Sequence, residues 1–121
     1  MTLKAYFFRG FLVAVLAAAA PALATNLNFM KDTPYTHFTD EDHKIFNETL
    51  NDTLNNGADG ESREWSNPKT KAGGVVKPLK TFERKGMSCR SVYIANKAKG
   101  RSASSKYNFC KQASGTWALA N

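Results

Sequence analysis

The sequence predicts an α+β domain in which one N-terminal amphipathic helix packs on a small antiparallel sheet of about four to five strands, with one disulfide. Three observations lead to this fold class. Apolar side chains recur every four residues at Phe46, Leu50 and Leu54, which is the spacing of one helix face. After residue 60 the pattern changes to short apolar segments separated by turn residues. The two cysteines, Cys89 and Cys110, lie where opposite strands of a hairpin would place them.

The helix is predicted to run from about Asp40 to Asn55. Thr39 is a good N-cap residue, and Asp42 three positions later has the spacing of a capping box. Acidic residues fill the first turn, where the helix dipole favours negative charge. Gly57 follows the last apolar position and predicts an end in the left-handed conformation.

Strands are predicted after the helix wherever apolar segments lie between turn-forming residues. The predicted strands are 61–66, 75–83, 87–95, 102–111 and 116–120, with residues 72–74 as a loose glycine-containing link. Pro78, inside the second segment, predicts an edge position or a β-bulge, because proline cannot donate to the strand ladder.

The cysteine positions predict the register of one hairpin. If Cys89 lies opposite Cys110, the tip falls at Lys99-Gly100, where the turn chemistry independently places it. The same register sets Val92 opposite Tyr107 on the face that packs on the helix, with the cysteines on the other face. In an exported chain an even cysteine count favours a disulfide, and two free thiols are the alternative.

Residues 1–24 have the three-part pattern of a secretory signal peptide, with a positive start, an apolar stretch at 10–20 and small residues before the cleavage point. We expect the mature chain to begin at Thr25 and to be exported to the periplasm or cell surface, or secreted. An uncleaved membrane anchor is the alternative, although the apolar stretch is shorter than the about 20 residues that span a bilayer.

The mature chain is long enough for one domain. Residues 25–38 are predicted to be an extended lead-in, and residues 39–121 the α+β domain. The sequence predicts no transmembrane span after signal cleavage, because no second apolar stretch follows.

Charge is divided unevenly along a chain whose formal net charge is +7. Residues 32–64 carry nine acidic and two basic side chains, and residues 69–111 carry twelve basic and one acidic. The basic region predicts attraction to an anionic envelope component (a glycolipid, a glycan or a membrane surface) or to an envelope protein, and lysines that only keep the domain soluble are the alternative. Export and the lack of a recognisable binding motif argue against nucleic acid. The candidate binding residues are Lys77, Lys80, Lys97, Lys99, Arg101 and Lys106.

Two other sets of residues are candidate sites. Trp65 and Trp117 are either core residues or an aromatic platform beside the lysines. His37 and His43 lie near the acidic residues 40–42, but their spacing matches no zinc pattern and those acids already serve the helix start. We therefore predict no catalytic residue, no metal and no cofactor.

The order of landmarks along the chain is more specific than any one of them. They are Leu54-Asn55-Asn56-Gly57, Trp65-Ser66-Asn67-Pro68, Gly74-Val75-Val76-x-Pro78, Cys89-Arg90, Cys110-Lys111 and Gly115-Thr116-Trp117. This order, from about Thr39 to Leu119, resembles the C-terminal domain of the bacterial 17 kDa surface antigen family of the rickettsial type. The resemblance implies a helix before a small antiparallel sheet, export to the envelope and no established enzymatic activity.

Two departures from that family bear on location. Its members often carry a lipobox cysteine and a glycine-rich zipper before this domain, and this sequence has neither. A periplasmic or secreted form is therefore expected rather than an anchor in the outer membrane. The expected function is a non-enzymatic interaction module of the envelope. A small periplasmic enzyme or enzyme inhibitor is the second hypothesis, which a cleft holding His37 or His43 with a carboxylate would favour.

Overall fold

The computed structural model describes residues 33–120, which form one five-stranded antiparallel sheet and two helices. Strand order in space equals strand order along the chain. The elements are a short 3-10 helix (Pro34–His37), α1 (Asp40–Asn56), β1 (Arg63–Asn67), β2 (Ala72–Arg84), β3 (Met87–Ala98), β4 (Arg101–Lys111) and β5 (Trp117–Ala120). The predicted α+β class, with its single α-helix and its disulfide, is confirmed. The predicted signal peptide and residues 25–32 of the lead-in lie outside the described residues.

The start of α1 follows the prediction. Thr39 Oγ1 accepts a hydrogen bond from the Asp42 N–H at 3.1 Å, and Asp42 Oδ2 accepts one from the Thr39 N–H at 2.9 Å. This reciprocal pair is a complete capping box, which satisfies two amide groups that a helix start leaves without partners. The apolar stripe of Phe46, Leu50 and Leu54 is buried.

The end of α1 differs from the prediction. The helix extends one residue further, to Asn56, and Gly57 has φ −76°, so it does not adopt the left-handed conformation. The last carbonyls need no left-handed cap, because Arg90 of β3 donates to the Thr53 and Leu54 carbonyl oxygens, each at 3.0 Å.

The glycine-containing stretch at 72–74 is part of β2, so its interpretation as a loose link is wrong. A Cβ on Gly74 would lie 2.1 Å from the carbonyl oxygen of Ala95 on β3 and 2.4 Å from the side-chain oxygen of Asn96. The glycine is therefore required by close packing between strands and does not mark a turn. Further along β2, the register shifts between Pro78 and Lys80, which confirms the predicted β-bulge.

The hairpin of β3 and β4 has the predicted register. Cys89 lies opposite Cys110 and forms a disulfide with it, and Val92 lies opposite Tyr107. Lys99 and Gly100 form the tip with φ 54° and 75°, which is the sign that a two-residue hairpin turn requires at both positions. β3 continues to Ala98, three residues beyond the predicted end, because the tight turn allows pairing up to the tip.

The described end of the lead-in is folded, unlike the extended segment that was predicted. Pro34 starts the 3-10 helix, and the Thr33 side chain accepts a hydrogen bond from the Tyr35 N–H at 3.2 Å. Phe38 is 8% exposed, and its ring centroid lies 5.1 Å from that of Trp65. Pro34 and Phe38 are buried, and Tyr35 packs against the core cluster, so this segment contributes to the core.

The sheet has two faces with different environments. On the inner face, α1 lies against β1 and β2, and the 3-10 helix lies against β3 and β4. The core residues that the strands supply to this face are Trp65, Val76, Val92, Ile94, Phe109 and Trp117. The outer face carries the alternate residues of the same strands, and neither described helix lies on it. Within residues 33–120, no helix is both long and apolar enough to cross a membrane.

Candidate binding face

Four of the six predicted binding residues lie on the outer face of the sheet. Lys77, Tyr93 and Lys106 are neighbours in one row across β2, β3 and β4. Lys80 lies towards the disulfide from this row, and Lys97 lies towards the hairpin tip. Because side chains alternate between faces along a strand, these four lysines point to the same side as the cysteines.

The other two predicted residues do not join this group. Lys99 is in the hairpin tip. Arg101 pairs with Ala98, which is buried on the inner side, so alternation places the Arg101 side chain on the inner-face side of β4, where it is exposed. The six residues are therefore divided between two faces and the tip.

The lysines of the outer face have few opposite charges near them. In the described part of the chain, no carboxylate lies within ion-pair distance of Lys77, Lys80, Lys97 or Lys106. Among those residues, Glu64 of β1 is the one acidic side chain whose strand position places it on the outer face. A face with one sign of charge attracts anions over distances of about a Debye length.

Two aromatic side chains belong to this face, and sequence analysis did not single them out. Tyr93 is half-buried between Lys77 and Lys106. The ring centroid of Phe82 lies 5.6 Å from Lys80 Nζ and 5.8 Å from Arg84 Cζ. Both rings could have been predicted by counting every second residue, along β3 from Cys89 and along β2 from the residue opposite Cys89.

Trp65 and Trp117 are core residues, the first of the two alternatives that the sequence left open, and they do not form the aromatic platform of the second. They are 4% and 5% exposed. Trp65 Nε1 donates to Asn96 Oδ1 at 3.0 Å, and Trp117 Nε1 donates to Asn55 Oδ1 at 2.9 Å. An indole ring with a satisfied N–H packs stably in a core, and the Trp65 ring centroid lies 5.1 Å from that of Phe38 and 5.8 Å from that of Phe46.

A groove of about 820 Å³ runs along the sheet near the hairpin tip. Its walls include Glu64 on β1 and Tyr93 and Lys97 on β3. Small residues make its surface shallow and accessible: Gly73, Gly74, Ala95, Ser102 and Ser104. The groove therefore combines an aromatic ring and a cation with a lining of small residues.

Arg90 organises the inner face at the C-terminal end of α1. Its side chain is almost fully buried and, besides the two helix carbonyls, donates to Asp59 Oδ1 at 2.7 Å and Thr81 Oγ1 at 3.1 Å. The hydrogen bond from Arg90 holds the pKa of Asp59 below its usual value. The residues from Val92 to Ala98 that share the helix-facing side of β3 with Arg90 are all uncharged. Alternation along β3 therefore predicts from the sequence that Arg90 is a buried charge.

Asp42 has the matching position at the N-terminal end of α1. Its side chain is 1% exposed and accepts hydrogen bonds from Asn67 Nδ2 and Thr70 Oγ1, each at 2.7 Å. Burial alone would raise the pKa of Asp42, but the hydrogen bonds from the Thr39 backbone, Thr70 and Asn67 outweigh it and lower the pKa. Both ends of the helix are thus fixed to the sheet by buried polar groups.

The chain matches a known protein family over more than half of its length. Residues 52–118 match the family described as the 17 kDa outer membrane surface antigen. The chain belongs to this family. The matched region begins in the second half of α1 and includes the disulfide and the lysines of the outer face. Comparisons with the curated proteins and with the solved structures found no match.

Membership of this surface antigen family agrees with the resemblance noted in the sequence and supports an envelope location. A surface antigen family also suggests a role other than catalysis. The ring of His43 packs 4.5 Å from Tyr35 and 5.4 Å from Phe38, and in residues 33–120 no cluster of three histidine, cysteine or acidic side chains could hold a metal ion.

Proposed function

We propose that this domain is a non-enzymatic module of the cell envelope that attaches through its outer sheet face to an anionic surface. The observation that carries the proposal is the row of Lys77, Tyr93 and Lys106, with Lys80 and Lys97 on either side. Glu64 is the one carboxylate that strand alternation assigns to this face in the described residues.

The chemistry of the face favours phosphate-bearing glycolipid or lipid headgroups. Lysine ammonium groups act as flexible point charges, which suits a surface carrying many phosphates better than one shaped anionic ligand. The rings of Tyr93 and Phe82 add apolar contact at the level where the headgroups would lie. Each lysine near an anionic membrane surface contributes about 1 kcal/mol, so four of them give a weak and reversible attachment.

Co-sedimentation with vesicles tests the proposal. The exported protein should bind vesicles that contain phosphatidylglycerol and should leave vesicles of pure phosphatidylcholine in solution. Because the attraction is screened over about 8 Å at physiological ionic strength, binding should decrease as salt rises. The double variant Lys77→Glu/Lys106→Glu should bind at least about tenfold more weakly, since it removes two favourable charges and adds two repulsive ones.

A matched control is available on the opposite side of the molecule. Lys44 and Lys69 have 74% and 78% exposed side chains and lie on α1 and in the turn before β2. The double variant Lys44→Glu/Lys69→Glu changes the net charge by the same amount and should retain most of the binding. If both double variants lose binding equally, net charge and not the outer face is responsible, and the proposal is wrong.

The finer location of the protein is a proposal of the same kind. A periplasmic form is proposed because residues 1–24 have the pattern of a cleaved secretory signal peptide. Protease added to intact cells should leave a periplasmic protein uncut and should digest one that is exposed on the surface. N-terminal sequencing of the same sample would show whether the chain begins at Thr25, as the signal pattern predicts.

A further inference from the structure

The open edge of β4 is a feature that the surface proposal does not use. β5 pairs with β4 only from Asn108 to Lys111, so within the described residues no strand pairs with the other side of β4 from Arg101 to Lys106. Six consecutive residues of this segment, 101–106, are exposed. An unpaired strand edge offers a row of amide and carbonyl groups to another extended chain.

The other edges of the sheet are less suited to pairing. β2 extends past β1, but the bulge between Pro78 and Lys80 interrupts its ladder, and the Pro78 carbonyl already accepts a hydrogen bond from the Gly60 N–H at 2.7 Å. β1 is short, and Arg63 on it forms an ion pair with Asp52 of α1. β5 also lies at an edge but has four residues, so β4 has the longest uninterrupted edge among the described strands.

The direction of the backbone groups along β4 follows from its paired half. The Gln112 N–H donates to the Thr116 carbonyl at 2.8 Å. The even-numbered residues of β4 therefore direct their backbone N–H and C=O groups away from β3. The Cα atoms of Cys89 and Cys110 are 4.0 Å apart, the close spacing of a pair that does not exchange backbone hydrogen bonds, which gives the same parity. By alternation, Ser102, Ser104 and Lys106 present their N–H and C=O groups to the open side.

Space for side chains exists on both faces beside this edge. On the inner face, a cavity of about 250 Å³ is lined by Pro34, Ile94, Ala103, Ser105 and Tyr107, among others. On the outer face, Ser102 and Ser104 line the groove near the hairpin tip, next to Lys97. An added strand would place alternate side chains into these two spaces, the apolar one and the cationic one.

We propose that the open edge of β4 binds an extended segment of a partner protein in which apolar and acidic residues alternate, so that the segment becomes a further strand of the sheet. Its apolar side chains lie on the inner face, against Ile94 and Tyr107, and its acidic side chains lie on the outer face, beside Lys106. Charge supports this partner, because neither β3 nor β4 contains a carboxylate. Two copies of this edge would instead bring cationic residues together, which disfavours self-pairing.

The probe for this proposal is an acetylated and amidated octapeptide of alternating glutamate and valine, titrated into the intact exported protein at low salt. Hydrogen exchange should slow at the amides of Ser102, Ser104 and Lys106, and the octapeptide of alternating lysine and valine should bind at least about tenfold more weakly. If these three amides are already protected without peptide, the chain's own residues cover the edge and the proposal is wrong.

Backbone methylation of the peptide separates strand addition from simple charge attraction. Methylating the amides of all glutamates should abolish binding of an antiparallel strand, and methylating those of all valines should abolish binding of a parallel one. An effect confined to one set supports the proposal, whereas equal effects of the two sets overturn it. The result does not depend on vesicle binding, so it can fail while the surface attachment stands.

A protein variant gives a second readout. Ser104→Pro removes an N–H on the open side and leaves the pairing with β3, so it should weaken peptide binding by about tenfold while thermal unfolding stays cooperative. Unchanged peptide binding by a folded Ser104→Pro variant would contradict the proposal. If the variant does not fold, the methylated peptides decide with the unaltered protein.

Discussion

Charged side chains have opposite environments on the inner and outer faces of this sheet. On the inner face, Arg90 and Asp42 are buried, and each is held by several hydrogen bonds that fix an end of α1. On the outer face, Lys77 extends from β2 and Lys106 from β4, without a carboxylate at ion-pair distance in the described residues. The buried charges therefore belong to contacts within the fold, and the outer charges are those to which we assign the proposed binding. Substitutions on the two faces should change different measured quantities.

Replacing Arg90 should have the largest effect on stability. Arg90→Met removes one donor each from the Thr53 carbonyl, the Leu54 carbonyl and the Asp59 carboxylate. Hydrogen bonds that involve a charged group contribute about 1.5–3 kcal/mol each, so the loss of this set should cost about 3–5 kcal/mol. Urea denaturation followed by circular dichroism measures the loss. Arg90→Lys is the control, since it keeps the charge but cannot reach all acceptors at once, and it should recover part of the free energy of unfolding.

Removing the disulfide tests whether buried residues on the outer face contribute to the stability of the domain. Cys89 and Cys110 point to the outer face but are 0% and 1% exposed. The double variant Cys89→Ala/Cys110→Ala opens a loop with a sequence separation of 21, and should lower the free energy of unfolding by about 3 kcal/mol. Reducing agent should lower the stability of the natural protein by a similar amount and leave the variant unchanged.

Adding one methyl group at Gly74 should disturb the inner face at the Trp65 contact. In Gly74→Ala the new Cβ meets the Ala95 carbonyl at 2.1 Å, so β2 and β3 must separate, at a cost of about 1–3 kcal/mol. The Trp65 fluorescence should shift to longer wavelength as its bond to Asn96 weakens. Val75→Ala, on the neighbouring half-exposed residue of the outer face, should leave that spectrum unchanged.

Lowering the pH should destabilise the domain through Asp42 and Asp59. Both have a lowered pKa in the folded protein, so their stabilisation is complete above the unfolded value of about 3.9 and is lost as the pH falls through the folded value. Asp42→Asn should reduce the free energy of unfolding at pH 7 by about 1–2 kcal/mol and flatten its decrease below pH 4. Asp40→Asn, which alters an exposed carboxylate of the same helix turn, should keep the acid dependence.

The smallest effect on stability should come from the outer lysines. Lys77→Glu/Lys106→Glu should change the free energy of unfolding by no more than about 0.5 kcal/mol, because neither lysine has a buried partner in the described residues. Denaturation of this variant beside the vesicle assay therefore separates stability from binding. A loss of several kcal/mol would mean that the outer face also maintains the fold, and the contrast between the faces would not hold.

The parts of the fold that could be predicted are those set by local chemistry. The capping box of Thr39 and Asp42 depends on residues three positions apart, and the hairpin register depends on two cysteines and one turn. The interpretation of residues 72–74 was wrong because the reason for Gly74 lies on β3, twenty or more residues away. Arg90 was not singled out for the same reason, since its acceptors belong to α1 and the loop after it.

The candidate site was predicted in composition but not in arrangement. Local charge counts indicated a basic region, and four of the six named residues lie on the outer face. Lys99 and Arg101 were grouped with them because they are close in sequence. In the structure Lys99 lies in the hairpin tip, and the alternation along β4 places Arg101 on the inner-face side. Hydrophobicity could not tell an exposed tryptophan from a buried one, because the indole N–H of each finds an asparagine only in the folded chain.

The matching order of strands in space and along the chain has a consequence for how the protein is made. Each strand pairs with the one that precedes it. When the N-terminal part of the chain becomes available first, the sheet can therefore grow one hairpin at a time. β4 brings Cys110 to Cys89 only after β3 is in place, so oxidation of the thiols can lock an arrangement that backbone pairing has already chosen. With two cysteines in the sequence, no wrong intramolecular pairing competes, and the chain can mature without an isomerase to correct it.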